Sequence, residues 1–186
     1  PGAVGSAEQP GCRGPSDRLG RLVGIEVYVA SPLGFTASGR LYWRDVVEPS
    51  LRAAGVDPLD PWDAESAGWF AAAESLGEPA RTGRLAEVNE LVGARNAELL
   101  DRCDGVLAVL DGVDVDSGTA AEIGYATARG RPVVGLRTDL RPGGDNSATP
   151  VNLQVAYFIR ASGGSICTDV GEAVRVVCEL AGRRRA

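Results

Sequence analysis

Read as a succession of apolar and polar positions, the chain divides into short β-branched runs separated by stretches of helical spacing. Leu22 to Ala30 (LVGIEVYVA) predicts a first strand. A Pro/Gly loop over 31–38 leads into a helical pattern from Gly39 to Ala54, which Gly55 ends. Val56 to Leu59 predicts a short second strand before Asp60-Pro61-Trp62-Asp63. Residues 64–83 are rich in Ala and Gly and carry no clear period, so part helix and part loop is expected there. From Arg84 to Arg102 apolar residues recur at helical spacing through Leu85, Val88, Leu91, Val92, Leu99 and Leu100. Gly105 to Leu110 (GVLAVL) is unbroken apolar sequence, as in a strand covered on both faces. A loop over 111–116 enters a helix of small residues from Ser117 to Arg129, and Pro132 to Leu136 predicts a fourth strand. Residues 138–150 (TDLRPGGDNSATP) have loop composition without an apolar anchor, which suits a lid. A helix over 151–161, a short strand over 165–168 and a helix over 170–180 complete the pattern.

Strands alternating with helices predict parallel βαβ units. Right-handed crossovers then give an α/β fold, a doubly wound, flavodoxin-like parallel five-stranded sheet with helices on both faces. Ligands of such sheets sit beyond the carboxyl ends of the strands, at the switch point between the first and third. That rule selects the loops over 30–38 and 111–119. The expected domain runs over 22–182, after a Gly/Pro/Ser-rich lead-in over 1–21 and before a basic end over 183–186. Arg183 to Arg185 is expected to be a frayed, solvated helix terminus.

Composition narrows the chemistry. The 186 residues fit one domain, and 44% hydrophobic with 24% charged residues is ordinary for a globular chain. The net charge is −6, from 25 acidic and 19 basic residues, every basic one an Arg. That balance disfavours nucleic-acid polymers and anionic membranes as partners. No apolar run approaches the roughly 20 residues of a membrane span. The chain has no His, no Lys and no Met. Absence of His removes Ser-His-Asp and Cys-His catalysis and most zinc chemistry, and absence of Lys removes Schiff bases. Carboxylates, hydroxyls, Tyr, Cys or Arg must carry any reaction. Cys12, Cys103, Cys167 and Cys178 form no CxxC pair, which with the lack of an apolar leader predicts free thiols and a cytoplasmic location.

The densest polar cluster runs from Asp111 to Ala126 (DGVDVDSGTAAEIGYA). Its acidic residues do not make a calcium loop: counted from Asp114, the sixth position is Thr119 instead of Gly and the twelfth is Tyr125. No G-x-G-x-x-G follows the first strand, so a dinucleotide cofactor is not expected either. Two readings of Glu122 stand side by side. Thr119-Ala-Ala-Glu122 has the form of a capping box, in which Glu122 only closes a helix. Alternatively, Glu122 and Asp116 are paired carboxylates in the crevice, suited to glycosidic chemistry. Tyr28, near the end of the first strand, is either a core aromatic or a hydroxyl within reach of the helix after strand three. Trp62 offers a stacking face and Asp63 an acceptor, or else both serve a turn.

Three segments resemble the nucleoside 2-deoxyribosyltransferase family. Tyr28-Val-Ala-Ser31-Pro-Leu-Gly34-Phe35 is similar to its first-strand motif, and Asp116-Ser117-Gly118-Thr119-Ala-Ala-Glu122-Ile-Gly-Tyr-Ala to its catalytic segment. Thr149-Pro-Val-Asn152-Leu153 is similar to its late Asn-Leu motif. The resemblance implies base exchange on a 2′-deoxynucleoside, with Glu122 as nucleophile, Tyr28 orienting and ionising it, and Asp116 managing the proton of the base. Phe35, Trp62 and Asp63 are candidates for contacts to the base, and Ser31, Asn96, Ser117 and Gly118 for further substrate contacts. Asn152 would complete the site of a neighbouring subunit, so a homodimer or larger homo-oligomer is expected. Asn96 stands where some relatives carry Asp, and Gln154 where relatives often carry Met. The partners implied are a small-molecule nucleoside and a free nucleobase, with no cofactor and no metal, and a lean toward purine or broad specificity. Two alternatives remain: a hydrolase of nucleoside 5′-monophosphates, its phosphate held by Ser31, Ser117 and Arg40, and a non-catalytic nucleotide-binding module.

Overall fold

Six residues of alternating orientation, Ile25–Ala30, form the axis of the molecule as strand β1. In a computed structural model that describes residues 24–185, β1 lies between β2 (Val56–Leu59) and β3 (Gly105–Val109), parallel to both. β4 (Val133–Leu136) and β5 (Ile166–Cys167) extend the sheet to the order β2-β1-β3-β4-β5, all parallel. This is the flavodoxin-like order that the alternation of elements predicts. The lead-in over 1–21 and Cys12 lie outside the described residues.

The period of two along β1 sorts its side chains onto two cores. Ile25, Val27 and Val29 face one way and join Leu51, Leu107, Val134 and Val177. That core lies under the helical run α1 (Ala37–Tyr42) to α2 (Glu48–Ala53) and under α7 (Val170–Arg185). Tyr28 and Ala30 face the other way and join Val106, Ala108, Leu100, Ile123 and Val155. That core is covered by α4 (Ala80–Arg102), α5 (Ser117–Ala128) and α6 (Leu153–Ala161). Burying an apolar side chain is worth roughly 1.5–3 kcal/mol, so both faces of the central strands are strongly specified.

Several local features depart from the sequence pattern. The run expected from Gly39 begins at Ala37, because the Thr36 hydroxyl accepts the Gly39 N–H at 2.9 Å and caps α1. A π-helical turn, Trp43–Val47, joins α1 to α2, and Gly55, at φ +78°, ends α2 in the left-handed conformation glycine tolerates. The Ala/Gly-rich stretch resolves into α3 (Ala64–Glu74) and the first turn of α4. The Glu78 carboxylate supports that turn by accepting the Thr82 hydroxyl at 2.8 Å. The C-terminal arginines continue α7 instead of fraying. Arg185 donates to the Gly24 carbonyl at 2.5 Å and pairs with the nearly buried Asp104 at 3.2 Å, which ties the helix end to the start of β1. No helix among the described residues is long and apolar enough to cross a membrane.

Candidate active site

The pleat that turns Tyr28 toward α5 creates the central contact of the site. Tyr28 is fully buried, and its hydroxyl donates to Glu122 Oε1 at 2.6 Å, across 94 residues of sequence. Register places Tyr28 opposite Val106 of β3, so the contact falls at the switch point between β1 and β3. Burial and the neighbouring Glu122 carboxylate push the Tyr28 phenol well above its ordinary value, so it acts as a donor throughout. Burial pushes the Glu122 carboxyl up to about 7; the Tyr28 hydrogen bond opposes this and the Asp116 charge adds to it.

The capping reading of Glu122 fails. The residue that caps α5 is Asp116, whose Oδ2 accepts the Thr119 N–H at 3.0 Å and the Thr119 hydroxyl at 3.2 Å. Asp is a strong N-cap and its charge suits the helix N-terminus, so the helix starts at Ser117 and Thr119 is its third residue. Glu122 therefore lies in the second turn, where no cap is needed, and its side chain is given to Tyr28.

Asp116, Gly118, Thr119 and Glu122 from the start of α5 line a cavity of about 200 Å³. Ser31 and Phe35 close it from the loop after β1, Pro61 and Trp62 from the loop after β2, and Phe70, Val92 and Asn96 from α3 and α4. Trp62 meets Phe35 edge to face, with ring centroids 4.3 Å apart, and its indole N–H donates to the Ser31 carbonyl at 3.2 Å. Phe35 is 66% exposed at the rim of this cavity. Asn96 Oδ1 is buried on the cavity wall and accepts no hydrogen bond from the described residues. A buried acceptor left open costs about 1–3 kcal/mol, and a ligand N–H removes that cost.

The remaining expected residues sit elsewhere. Asp63 caps α3 through Ser66 N and is gripped by Arg95 at 2.9 and 2.5 Å, which holds its carboxyl down to about 2. Its acceptors are thus committed to the protein, and it lines a second chamber of about 540 Å³ that also contains Arg40. Ser117 is the first residue of α5 and lines neither cavity. Asn152 caps α6, its Oδ1 accepting from Gln154 N at 3.0 Å, and it does not line the Glu122 cavity of its own chain. The start of the segment over 138–150, expected to be a lid, is held by hydrogen bonds. Asp111 accepts from Thr138 N at 2.6 Å and Asp139 N at 2.9 Å, and buried Arg137 donates to the Leu110 and Arg141 carbonyls. Phe70 and Val92 are site residues that the pattern did not single out: Phe70 stands in a stretch without period, and Val92 reads as part of the apolar stripe of α4.

A carboxylate held by a phenol, a second carboxylate beside it, an aromatic pair and an open amide form a candidate site whose chemistry suits a planar, hydrogen-bonding ligand. The chain belongs to the nucleoside 2-deoxyribosyltransferase family, whose profile matches residues 27–154. An uncharacterized protein of Schizosaccharomyces pombe is 32% identical over 120 residues, 62% of this chain and 51% of the yeast protein. The chain therefore spans about half the length of that relative. Among solved structures, a conserved protein from Enterococcus faecalis superposes with a TM-score of 0.60 at 22% identity, covering 83% of this chain and 98% of the other. The 2-deoxyribosyltransferase of Bacillus psychrosaccharolyticus gives 0.53 at 21% identity, covering 80% and 89%. These two likenesses are likenesses of fold.

Proposed function

We propose that the protein is a nucleoside 2-deoxyribosyltransferase that exchanges the base of a 2′-deoxynucleoside through a glutamyl-deoxyribosyl ester. The observation that carries this reading is the Tyr28–Glu122 hydrogen bond of 2.6 Å on the wall of a base-sized, aromatic-lined cavity. In the first half-reaction a Glu122 carboxylate oxygen attacks C1′ as the bond from C1′ to the base nitrogen breaks. The electron pair of that bond goes to the base, and a proton relayed from solvent through Asp116 neutralises it. The products are a free base and a Glu122 ester. In the second half-reaction a nitrogen of the incoming base attacks C1′. The ester C–O bond breaks, its electron pair returns to Glu122, and the proton of the base leaves to solvent through Asp116. Two inversions at one carbon restore the starting configuration, and the nearby carboxylates stabilise the oxocarbenium-like states between them.

The other residues follow by chemistry. Trp62 and Phe35 hold the base by its face and edge. Asn96 Oδ1 receives a base N–H, which satisfies an otherwise open acceptor. Ser31 and Gly118 shape the cavity beside the sugar, and Asn152 serves the site of a second copy. Ionised Glu122 is the reactive form, so turnover rises with pH through about 7.

Incubation with a deoxynucleoside and a second free base tests the reading: a new nucleoside is expected. Free sugar or sugar phosphate would make the protein an N-glycoside hydrolase, and no turnover would make it a binding module. A 2′-fluoro-arabinonucleoside, whose fluorine slows ester breakdown, should leave one fluorosugar on the peptide that holds Glu122, read by intact-protein mass spectrometry. Absence of that adduct in an active protein would remove Glu122 as nucleophile.

A further inference from the structure

We propose that Trp62 is a partition that limits the size of the base, and that the chamber behind it is a subsite for a substituent on that base. This inference rests on the transferase reading of the Glu122 cavity. The cavity of about 200 Å³ and the chamber of about 540 Å³ share three wall residues, Ser31, Trp62 and Phe70. Trp62 is the largest of them and faces both spaces. In the transferase reading the smaller cavity takes the unsubstituted base; the larger one has apolar walls from Leu33, Trp43 and Ala67, with Arg40, Asp60 and Asp63 at its polar side.

The partition is seated by its neighbours, not built into the core. Its indole N–H makes one side-chain hydrogen bond, to the Ser31 carbonyl, and its backbone N–H is held at 2.8 Å by Asp60. The ring lies directly on Gly34, where a Cβ would fall 2.2 Å from ring atoms. No side chain but hydrogen fits there, so Gly34 lets the indole close the passage between the two spaces. Removing the ring joins them. The chamber then offers apolar contact to an arylalkyl group, the kind of gain or refusal that sets pocket specificity.

The test compares adenine with purines carrying a benzyl group at different ring positions, each as acceptor with one deoxynucleoside donor. The readout is the ratio of kcat/KM for benzylated over plain base, because Trp62 also touches the plain base. Wild type should refuse the benzylated purines, and in Trp62→Ala the ratio for at least one should rise roughly tenfold or more. Gly34→Ala, which displaces the ring without deleting it, should move the ratio the same way by less, and it serves if Trp62→Ala does not fold. An unchanged ratio in a variant that still transfers adenine overturns the partition. If wild type transfers no base at all, the transferase reading fails instead. Equilibrium binding of the same purines then decides the partition, supported by a tenfold shift toward the benzylated ligand and overturned by none.

Discussion

Glu122 is held between burial, which favours its neutral form, and the Tyr28 hydroxyl, which favours its charged form. Tyr28→Phe removes only the second influence. The Glu122 carboxyl should rise further above about 7, and the acid side of the pH–rate profile should move to higher pH. Loss of one aimed hydrogen bond should lower kcat by about tenfold to a hundredfold, or roughly 1–3 kcal/mol of barrier, while thermal stability barely moves below pH 4.5 and falls at higher pH with the further rise of Glu122. An unchanged rate and profile would return Tyr28 to the role of a core aromatic. The same carboxyl makes the fold depend on pH. Its value in the folded protein exceeds the ordinary 4.5, so its contribution to stability is complete below pH 4.5 and is lost as pH rises through about 7. A shift of that size corresponds to about 3 kcal/mol. Glu122→Gln does not titrate, so it should gain up to that amount over wild type between pH 4.5 and pH 8 in urea unfolding. Its transferase activity should fall by several orders of magnitude. Equal stability of the two proteins at both pH values would mean that Glu122 is not buried at a cost.

At the scale of elements, the start of α5 carries two duties in one side chain. Asp116 caps the helix through Oδ2, and its carboxylate is the proton carrier proposed for the base. Asn also caps helices well, whereas Ala does not. Asp116→Asn should therefore keep the melting temperature and lose roughly a hundredfold or more in turnover, and Asp116→Ala should in addition cost about 1 kcal/mol of stability. Equal activity of Asp116→Asn and wild type would leave the residue a cap alone. β1, β3 and β4 were legible because each is an apolar run bounded by turn residues, and Gly105–Val109 is covered on both faces. α3 was not legible, because its Ala-rich sequence has no stripe and is held by Asp63 at its start and by packing on α4. The placement of Tyr28 and Glu122 near each other follows from strand order and pleat, both readable. The commitment of Asp63 to Arg95 is not readable, since 32 residues separate them and no local pattern joins a loop carboxylate to one helix arginine.

Over the whole molecule, the segment that leads to Asn152 is fastened to the strand that leads to Asp116. Asp111 holds residues 138 and 139, Asp139 accepts the Gly112 N–H at 3.2 Å, and Arg137 spans the Leu110 and Arg141 carbonyls. Farther along, Asp145 accepts the Leu153 N–H at 2.6 Å beside the Asn152 amide. A segment tied down at this many points holds Asn152 as a fixed projection, and Asn152 does not line the Glu122 cavity of its own chain. Leu153 and Tyr157, 55% and 52% exposed on the same helix, give that projection an apolar flank suited to a symmetric contact with a second copy. Glu122→Ala chains lack the nucleophile and Asn152→Ala chains lack the projection, so each homo-oligomer should be inactive or nearly so. In a mixed oligomer, some sites pair an intact Glu122 from one chain with an intact Asn152 from the other. Mixing the two proteins under conditions that exchange subunits should therefore restore part of the transferase activity, followed by the appearance of new nucleoside. Subunit exchange demonstrated by mass spectrometry without any recovery would place Asn152 in service to its own chain, or outside the reaction altogether.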